Sequence, residues 1–350
     1  MAINLFETHA KPLDTMYTEE SYLKGKTSNQ WSWDGAKTIK ITSIVTQPPQ
    51  NYNRTASANR YGTPKEVQDV LDIHTIRRDR SVSMVVDKGN NVQGGHLKEA
   101  GKVIKQEMQE QFIPESDQYA LQEWATNAGF AIGIAAEPTK ATIVEHLVAI
   151  ETRFANKRVP KTDRYVYIGN KYVGMLRQSL TDCDTITDKL LLKGVVGDFG
   201  TLHLVGVPDT DLPTGVYMIA THKNAVVYPV QIKDVKLHID PPGFSGNLME
   251  FRHIYDAFVI GTKKDGCVIV CDAAKVVATP VITKGASTTT IAVTTTGGAI
   301  KYTTDGSDPR FSNSAQAYST AITNLTAGEK IRAVGVGTGM YVSDIAELTF

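Results

Sequence analysis

The last 75 residues differ in composition from the rest of the chain, and this change constrains the possible folds more than any other feature. Residues 276–350 contain ten charged side chains and fifteen threonines, whereas residues 1–275 contain 64 charged side chains. The stretches TPVITKG, TTTIAVTTT, AIKYTT, EKIRAVGVG and SDIAELTF are rich in Thr and Val, which favour a pleated surface, with Gly, Asn and Asp at the turns. The sequence therefore predicts a domain boundary at residues 274–280, followed by a compact β-sandwich.

Before that boundary, strand-like segments flank a polar loop. Residues 38–46, TIKITSIVT, alternate apolar and polar side chains as a half-buried strand does. Residues 47–65 are polar, with two adjacent prolines and several asparagines, and are predicted to form an extended loop. Residues 67–76 and 81–87 are strand-like again, on either side of the charged run RRDR. Together these segments predict a long two-stranded arm that reaches out from the body.

The next segment has the spacing of a long amphipathic helix. Its apolar side chains recur at helical intervals, while the other faces are rich in Lys, Glu and Gln; the apolar positions are Leu97, Ile104, Met108, Phe112, Leu121 and Trp124. Pro114 lies inside this segment and has no backbone N–H to donate. We therefore expect a kink or a break beside Ile113.

The remaining part of the first 275 residues mixes helix and strand patterns. Thr142 and Glu145 form a T-x-x-E capping box, which predicts the start of a second helix that continues to about Asn156. A further helix is predicted near residues 172–180, and strands at residues 164–168, 200–207, 215–220 and 251–260. The fold class predicted for the chain is α+β, with an all-β unit at the C-terminus.

Composition excludes several classes of protein. The chain has 37 basic and 37 acidic residues, so it lacks the global positive field that drives tight, sequence-independent binding to nucleic acid. The three cysteines are too few for a disulfide scaffold, and Cys267 and Cys271, in the apolar run GCVIVC, are predicted to be buried thiols of a core strand. No signal-peptide pattern opens the sequence, and the apolar stretch at residues 130–136 is too short to span a bilayer.

No motif in the sequence predicts catalysis, a cofactor or a metal. A G-x-S-x-G elbow, a Walker loop and an H-E-x-x-H pair are all missing, and the eight histidines lack metal-ligand spacing. The glycines of GVVGDFG, residues 194–200, do not follow a strand and open a helix as a dinucleotide loop does. We therefore expect a protein that is not an enzyme, with no catalytic residue and no cofactor.

The string GAIKYTTDGSDP, residues 298–309, resembles the Ig-like C-terminal domain of chitobiases and related hexosaminidases. Such enzymes need a large barrel with catalytic carboxylates, and residues 1–275 lack the repeated strand–helix alternation of a barrel. Asp305 and Asp308 have oxygens suited to Ca²⁺, but we interpret DGSDP as an Asx-type turn that closes a hairpin. Tyr302, Asp305 and Phe311 are retained as a candidate surface contact for a glycan.

The order of the elements before residue 276 resembles the Hong Kong 97-type major capsid proteins of tailed bacteriophages. Five strings within residues 38–270 carry the resemblance: IRRDRSVSMVVD, EQFIPESDQYALQEWA, DFGTLHLVGVP, MIATHKNAV and FRHIYDAFVIGTKKDGCVIV. The resemblance implies an N-terminal arm at residues 1–37, an extended loop hairpin at 38–87, a spine helix with peripheral and axial domains at 88–275, and an Ig-like surface domain at 276–350. Strand patterns begin by about Thr38, so we expect no long, charged helical scaffold segment ahead of the arm, in contrast to the founding member of the family.

The same resemblance implies a structural role. The protein would assemble as hexamers and pentamers of itself into an icosahedral phage head, enclosing double-stranded DNA that it contacts non-specifically. It would be located in the virion after assembly in the host cytoplasm, without contact with a membrane. Its partners would include a portal and decoration proteins, and scaffolding would either come from a separate protein or be unnecessary. Contacts between subunits are predicted at Arg77, Arg78, Asp79 and Arg80, whose charges favour bonds across an interface.

Two other functions remain open at this stage. The chain fits an adhesin or carbohydrate-binding protein that uses the Ig-like module, with the larger part as a mount. It also fits an encapsulin-like shell that encloses an enzyme cargo instead of nucleic acid. The contents of purified particles and binding to a glycan distinguish these functions.

Overall fold

A computed structural model describes most of the 350-residue chain. The described residues are 21–34, 38–44, 51–55, 57–61, 69–88, 100–181, 197–239, 241–243, 245–285, 288–292, 298–323 and 329–349. Residues 1–20 of the predicted arm, part of the predicted loop at 47–65, Leu97 and Cys183 lie outside them.

The described part of the chain is an α+β structure with many short strands. In chain order the strands are β1 (Ser32–Asp34), β2 (Thr38–Ile44), β3 (Asp69–Thr75), β4 (Arg78–Asp87), β5 (Phe130–Ile134), β6 (Arg164–Gly169), β7 (Asp198–Phe199), β8 (Leu202–Val207), β9 (Val216–His222), β10 (Val226–Val227), β11 (Val230–Ile239), β12 (Gly246–Tyr255), β13 (Phe258–Val259), β14 (Cys267–Asp272), β15 (Val281–Lys284), β16 (Thr288–Ala292), β17 (Gly298–Thr303), β18 (Gln316–Ala317), β19 (Ile322–Thr323), β20 (Lys330–Gly337) and β21 (Ala346–Thr349). The helices are α1 (Ala100–Glu107), α2 (Ile113–Thr126), α3 (Ile143–Asn156) and α4 (Asn170–Thr181).

A six-stranded mixed sheet, in the order β5-β14-β9-β6-β8-β7, forms the centre of the body. Helix α2 packs on one face of this sheet, where Trp124 and Tyr167 are fully buried. Helices α3 and α4 cover the other face with Leu147, Ile150 and Leu176. The predicted strands at 164–168, 200–207 and 215–220 are confirmed as β6, β8 and β9, and the predicted helix at 172–180 as α4.

Strand β14 shows why this sheet needs cover on both faces. Successive side chains of a strand point to opposite sides. Accordingly Cys267, Ile269 and Cys271 lie in the cluster under α2, while Val268 and Val270 lie in the cluster under α3 and α4. The prediction of buried strand thiols is confirmed for Cys267 and Cys271, and burial raises the pKa of each to about 12.

The long helix is interrupted beside Pro114, as the sequence predicts. Between α1 and α2 the residues Met108–Phe112 form a π-helical turn, in which the N–H of Ile113 donates to the carbonyl of Met108. Pro114 then occupies the first turn of α2, where a missing N–H is tolerated. The wider π turn provides room for the proline ring, so the helical path changes without ending.

The capping box predicted at Thr142 is wrong, although the helix it was meant to start is present. Helix α3 begins at Ile143, but the side chain of Thr142 makes no capping bond to it. Its hydroxyl instead accepts a hydrogen bond from the N–H of Thr139, at 3.1 Å. A local turn before the helix therefore competes successfully for the hydroxyl.

The two-stranded arm predicted within residues 38–87 has a three-stranded base. The last strand-like segment of this region belongs to another sheet. Strand β2 pairs antiparallel with both β1 and β3, over residues 32–34 and 69–75. The segment predicted at 81–87 begins earlier, as β4, and pairs along its whole length with β12 in the sheet β11-β12-β4. Strand β12 starts five residues before the predicted strand at 251–260 and ends at Tyr255. Phe112 packs edge-on against Phe251 of this sheet, with ring centroids 4.9 Å apart.

The C-terminal part forms two small antiparallel sheets, as its composition predicts. One has the order β15-β16-β19 and the other β18-β17-β20-β21. Ile300, Ile331 and Ala333 are buried between them. We refer to residues 276–350 as the C-terminal module. Its first residues are attached to the segment between its last two strands, because the N–H of Val277 donates to the carbonyl of Tyr341 at 3.0 Å.

Candidate functional site

The loop between β2 and β3 presents two exposed tyrosines. We refer to β2, β3 and the chain between them as the extended hairpin. Tyr61 is 88% exposed and Tyr52 47% exposed, and their rings meet edge to face with centroids 4.9 Å apart. The N–H of Asn53 donates to the carbonyl of Arg60 at 2.9 Å, and this bond holds together the two segments of the loop that carry the tyrosines. An exposed aromatic pair of this kind is typical of a contact surface.

The four residues of the predicted subunit contact all have partners within the chain. Arg77 donates to Glu123 Oε2 at 2.7 Å, and Arg80 pairs with Glu115 Oε1 at 2.8 Å. Asp79 accepts from Arg252 Nε at 2.8 Å, and the Arg78 guanidinium lies 4.5 Å from the centroid of the Tyr119 ring. The side chains of Arg77 and Arg80 remain 59% and 51% exposed. These partners fix the exit of the extended hairpin against α2, and contact with a second subunit stays a prediction.

Asp256 joins three parts of the molecule at this exit. Its carboxylate is 2% exposed and accepts from the N–H of Arg77 at 3.0 Å, from Tyr119 OH at 2.9 Å and from the N–H of Ala257 at 2.8 Å. The patterns in the sequence described above do not single out Asp256. In the string HIYDAFVI this acidic residue stands between two largely apolar runs, which indicates burial. A buried carboxylate needs several hydrogen-bond donors.

A second buried carboxylate, Asp117 on α2, anchors the segment that precedes β1. It is 1% exposed and accepts from Ser21 Oγ at 2.8 Å. Beside it, Tyr22 OH donates to Asp211 Oδ2 at 2.8 Å, and Leu23 is fully buried. Burial, reinforced by the nearby charge of Asp211, raises the pKa of Asp117 to about 7. The burial of Asp117 could have been inferred from its helical spacing. Asp117, Leu121 and Trp124 lie on one face of the helix, and the rest of that face is apolar.

Replacing Asp117 by Asn is expected to stabilise the protein at pH 8. A carboxylate whose folded pKa lies above its unfolded value stabilises the fold below about pH 4, and this contribution is lost as the pH rises towards about 7. The shift corresponds to about 4 kcal/mol, but the new amide adds donors to a buried site, so we expect a net gain of about 2 kcal/mol at pH 8.

The measurement is the melting temperature of Asp117→Asn and of the unmodified protein from pH 4 to pH 8. The difference between them should grow with pH and level off above about pH 7. Ser116→Ala provides the control, because that side chain is also buried on α2 and carries no charge, so its effect on the melting temperature should not grow with pH. A constant difference across the range would show that Asp117 does not titrate in this interval.

The candidate glycan residues do not form one exposed surface. Tyr302 OH donates to Gln316 Oε1 at 3.1 Å, and its ring packs edge-on against Tyr318. Phe311 instead lies against Gly261 of the body. Asp305 accepts from the N–H of Ser307 at 2.9 Å, which confirms the Asx-type turn. Glycan contact at these three residues stays a prediction.

Two further findings concern binding chemistry. In the part of the chain that the structure describes, no group of three or more His, Cys, Asp and Glu side chains is arranged to hold a metal ion. Among the described helices, none combines the length and the apolar character needed to cross a bilayer.

Comparison with known proteins separates the two parts of the chain. A family model described as Fn3 associated matches residues 290–350. No curated protein matches the sequence. The solved structures that resemble it include a chain of Mycobacterium phage Che8, at 19% identity and a TM-score of 0.61, over 77% of this chain and 98% of that chain.

Two more solved structures give the same result. The capsid of the cyanophage P-SCSP1u is similar at 14% identity and a TM-score of 0.62, over 77% of this chain and 93% of that one. The mature capsid of bacteriophage PhiM1 is similar at 13% identity and a TM-score of 0.54, over 76% and 91%. The matched share is close to the share of the chain before the C-terminal module. The chain therefore combines the Hong Kong 97-type fold with a C-terminal β module.

Proposed function

We propose, on the premise of this Hong Kong 97-type fold, that the protein is the structural subunit of an icosahedral phage head. It assembles into the shell that encloses DNA, and its C-terminal module is displayed on the outer surface. The observation that supports the proposal is the fold match over more than nine tenths of the chains from two phage capsids. In this function the protein has a structural role and catalyses no reaction.

The proposed partners follow from a closed shell. Copies of the chain form hexamers and pentamers in the virion, after assembly in the host cytoplasm, and a separate scaffolding protein, a portal and decoration proteins complete the head. The balance of 37 basic and 37 acidic residues supports weak, non-specific contact with packaged double-stranded DNA. We retain the division into an arm (1–37), a hairpin region (38–87), a body (88–275) and the C-terminal module (276–350).

The extended hairpin is proposed to lie over an adjacent subunit. An isolated hairpin buries little surface, so its ordering is compensated when a neighbouring copy covers it. Tyr52 and Tyr61 provide the apolar contact, and the half-exposed Arg77 and Arg80, together with Arg78 and Asp79, provide the charged contact. The proposal places residues 47–80 at the interface.

Negative-stain electron microscopy of the purified chain tests the proposed function. Closed or tubular particles are expected, and nucleic acid within particles recovered from infected cells supports a phage head. Particles that contain an enzyme cargo instead would identify an encapsulin-like shell. A monodisperse monomer that binds a glycan resin through Tyr302, Asp305 or Phe311 would contradict the proposal and favour the adhesin.

A further inference from the structure

One arginine of the C-terminal module is almost completely buried against the body. The Arg310 side chain is 4% exposed. Its Nη1 donates to the carbonyl of Gly129 at 2.6 Å and its Nη2 to Asp265 Oδ1 at 2.9 Å. Its Nε donates to Asp308 of the module itself at 2.9 Å. A single guanidinium thus connects the module to two separate points of the body, with the directional geometry that its planar fork imposes.

The two points meet at one short turn, since Asp265 lies in the turn and Gly129 packs against it. Gly129 packs so closely on the turn Gly261–Gly266 that a β-carbon at this position would lie 2.0 Å from the carbonyl oxygen of Lys264. The ammonium of Lys264 in turn donates to the carbonyl of Arg310, at 3.4 Å. The module and Gly129, the residue before β5, therefore hold this turn from two sides. We call it the junction turn.

The extended hairpin contacts the same turn. The N–H of Gly261 donates to Asp72 Oδ2 on β3 at 3.0 Å. Phe311 of the module meets Gly261 as well, because a β-carbon on that glycine would lie 3.1 Å from the β-carbon of Phe311. One residue of the junction turn is thus in contact with both the extended hairpin and the C-terminal module.

The packing around this meeting point is open. A cavity of about 390 Å³ lies between the three parts, lined by residues that include Asp72, His74, Lys264, Arg310 and Phe311. Across it, the His74 ring stacks on Phe258 with centroids 4.1 Å apart. The cavity leaves this part of the boundary without close packing, so β3 is held here by the contacts that cross it, whereas Ile39 and Ile41 of β2 are buried in a cluster with Phe258 and Ile260 of the body.

The module is also fixed away from Arg310. Arg153 on α3 forms a two-bonded pair with Asp344, at 2.6 and 2.8 Å, and its guanidinium covers the Phe130 ring. The N–H of Tyr341 donates to the carbonyl of Lys275 at 2.7 Å. With attachments at separate places, the module is held in one orientation on the body, unlike a domain on a free linker.

We propose that the C-terminal module is a brace that holds the junction turn, and through it the base of the extended hairpin, in one orientation, with Arg310 as the positioning residue. Relative to apolar side chains a buried ion pair contributes little net stability, and the directional bonds of this guanidinium favour one arrangement of its partners. The consequence for assembly rests on the proposed function. The brace itself is a property of the single chain.

Hydrogen exchange of the full-length chain tests the brace. In Arg310→Ala, amides of the junction turn and of β3 are expected to exchange about tenfold faster than in the unmodified protein, while those of β6 and β9 keep their rates. Arg332→Ala is the matched control, because Arg332 pairs with Glu347 inside the module. Asp265→Asn, which weakens one bond of Arg310, should give a smaller change at the same amides and tests the brace even if Arg310→Ala misfolds.

Unchanged exchange in β3, in the presence of faster exchange in the module, would overturn the brace. Equal effects of Arg310→Ala and Arg332→Ala on β3 would overturn it too. All variants are compared in the same assembly state, so the result does not depend on whether particles form. Microscopy of the same samples reports on the proposed function separately.

Discussion

Simultaneous replacement of Tyr52 and Tyr61 by serine is expected to abolish closed particles while leaving the subunit folded. The two rings are exposed and touch mainly each other, so their removal costs the isolated subunit little. In an assembled shell they would be buried by a neighbouring copy, where aromatic anchors each contribute about 2 kcal/mol or more. Since every subunit repeats the contact, a loss of this size at each interface prevents closure.

Particle yield by electron microscopy and the melting temperature of unassembled subunits together test this expectation. The yield should fall to background, and the melting temperature should stay within about 2 °C of the unmodified value. Val281→Ser is the matched control, because Val281 is 59% exposed and belongs to β15 of the C-terminal module, not to the extended hairpin. Deletion of residues 47–65 is the more severe form of the same experiment. Normal particles from both variants would exclude the hairpin from the interface.

Those parts of the fold that depend on local pattern were predictable from the sequence. The alternation within GCVIVC predicts a core strand, and β14 divides its side chains between two clusters as expected. Pro114 predicts an interruption of the long helix, which takes the form of a π turn at Met108–Phe112. In these two cases one residue, or the alternation of side chains along a few residues, determines the backbone geometry. Neighbours distant in sequence then have little influence.

Other features were not predictable, because they join residues far apart in the chain. Strand β4 pairs with β12 more than 150 positions away, and nothing in the sequence of β4 identifies that partner. The composition of the C-terminal module predicts an independent appendage, yet Arg310 connects it to Gly129 and Asp265. A sequence does not distinguish a buried arginine from an exposed one. The single letter at position 310 therefore gives no sign that this side chain contacts the body. The partners of Arg77 and Arg80 on α2 were hidden for the same reason.

Asp256 is where these long-range connections meet, and its loss should destabilise the body strongly. The exit of the extended hairpin, α2 and the strand pair β10-β13 adjoin at this carboxylate, through Arg77, Tyr119 and Ala257. In Asp256→Ala, donors on all three residues lose their acceptor in a buried site, and the Arg77 guanidinium loses one of its two carboxylates. Removing one member of a buried charged network costs about 3–5 kcal/mol.

Urea unfolding of dilute subunits, followed by tryptophan fluorescence, measures this cost as a lower midpoint for Asp256→Ala. Asp256→Asn should lose about half as much, because its amide oxygen still accepts from Tyr119 or Ala257. Asp79→Ala is the control, since it removes a carboxylate paired with Arg252 at the surface of the same region and should cost at most about 1 kcal/mol. If Asp256→Ala and Asp79→Ala unfold at similar urea concentrations, the hairpin is anchored mainly by its strand pairing, and the carboxylate only occupies space between the elements.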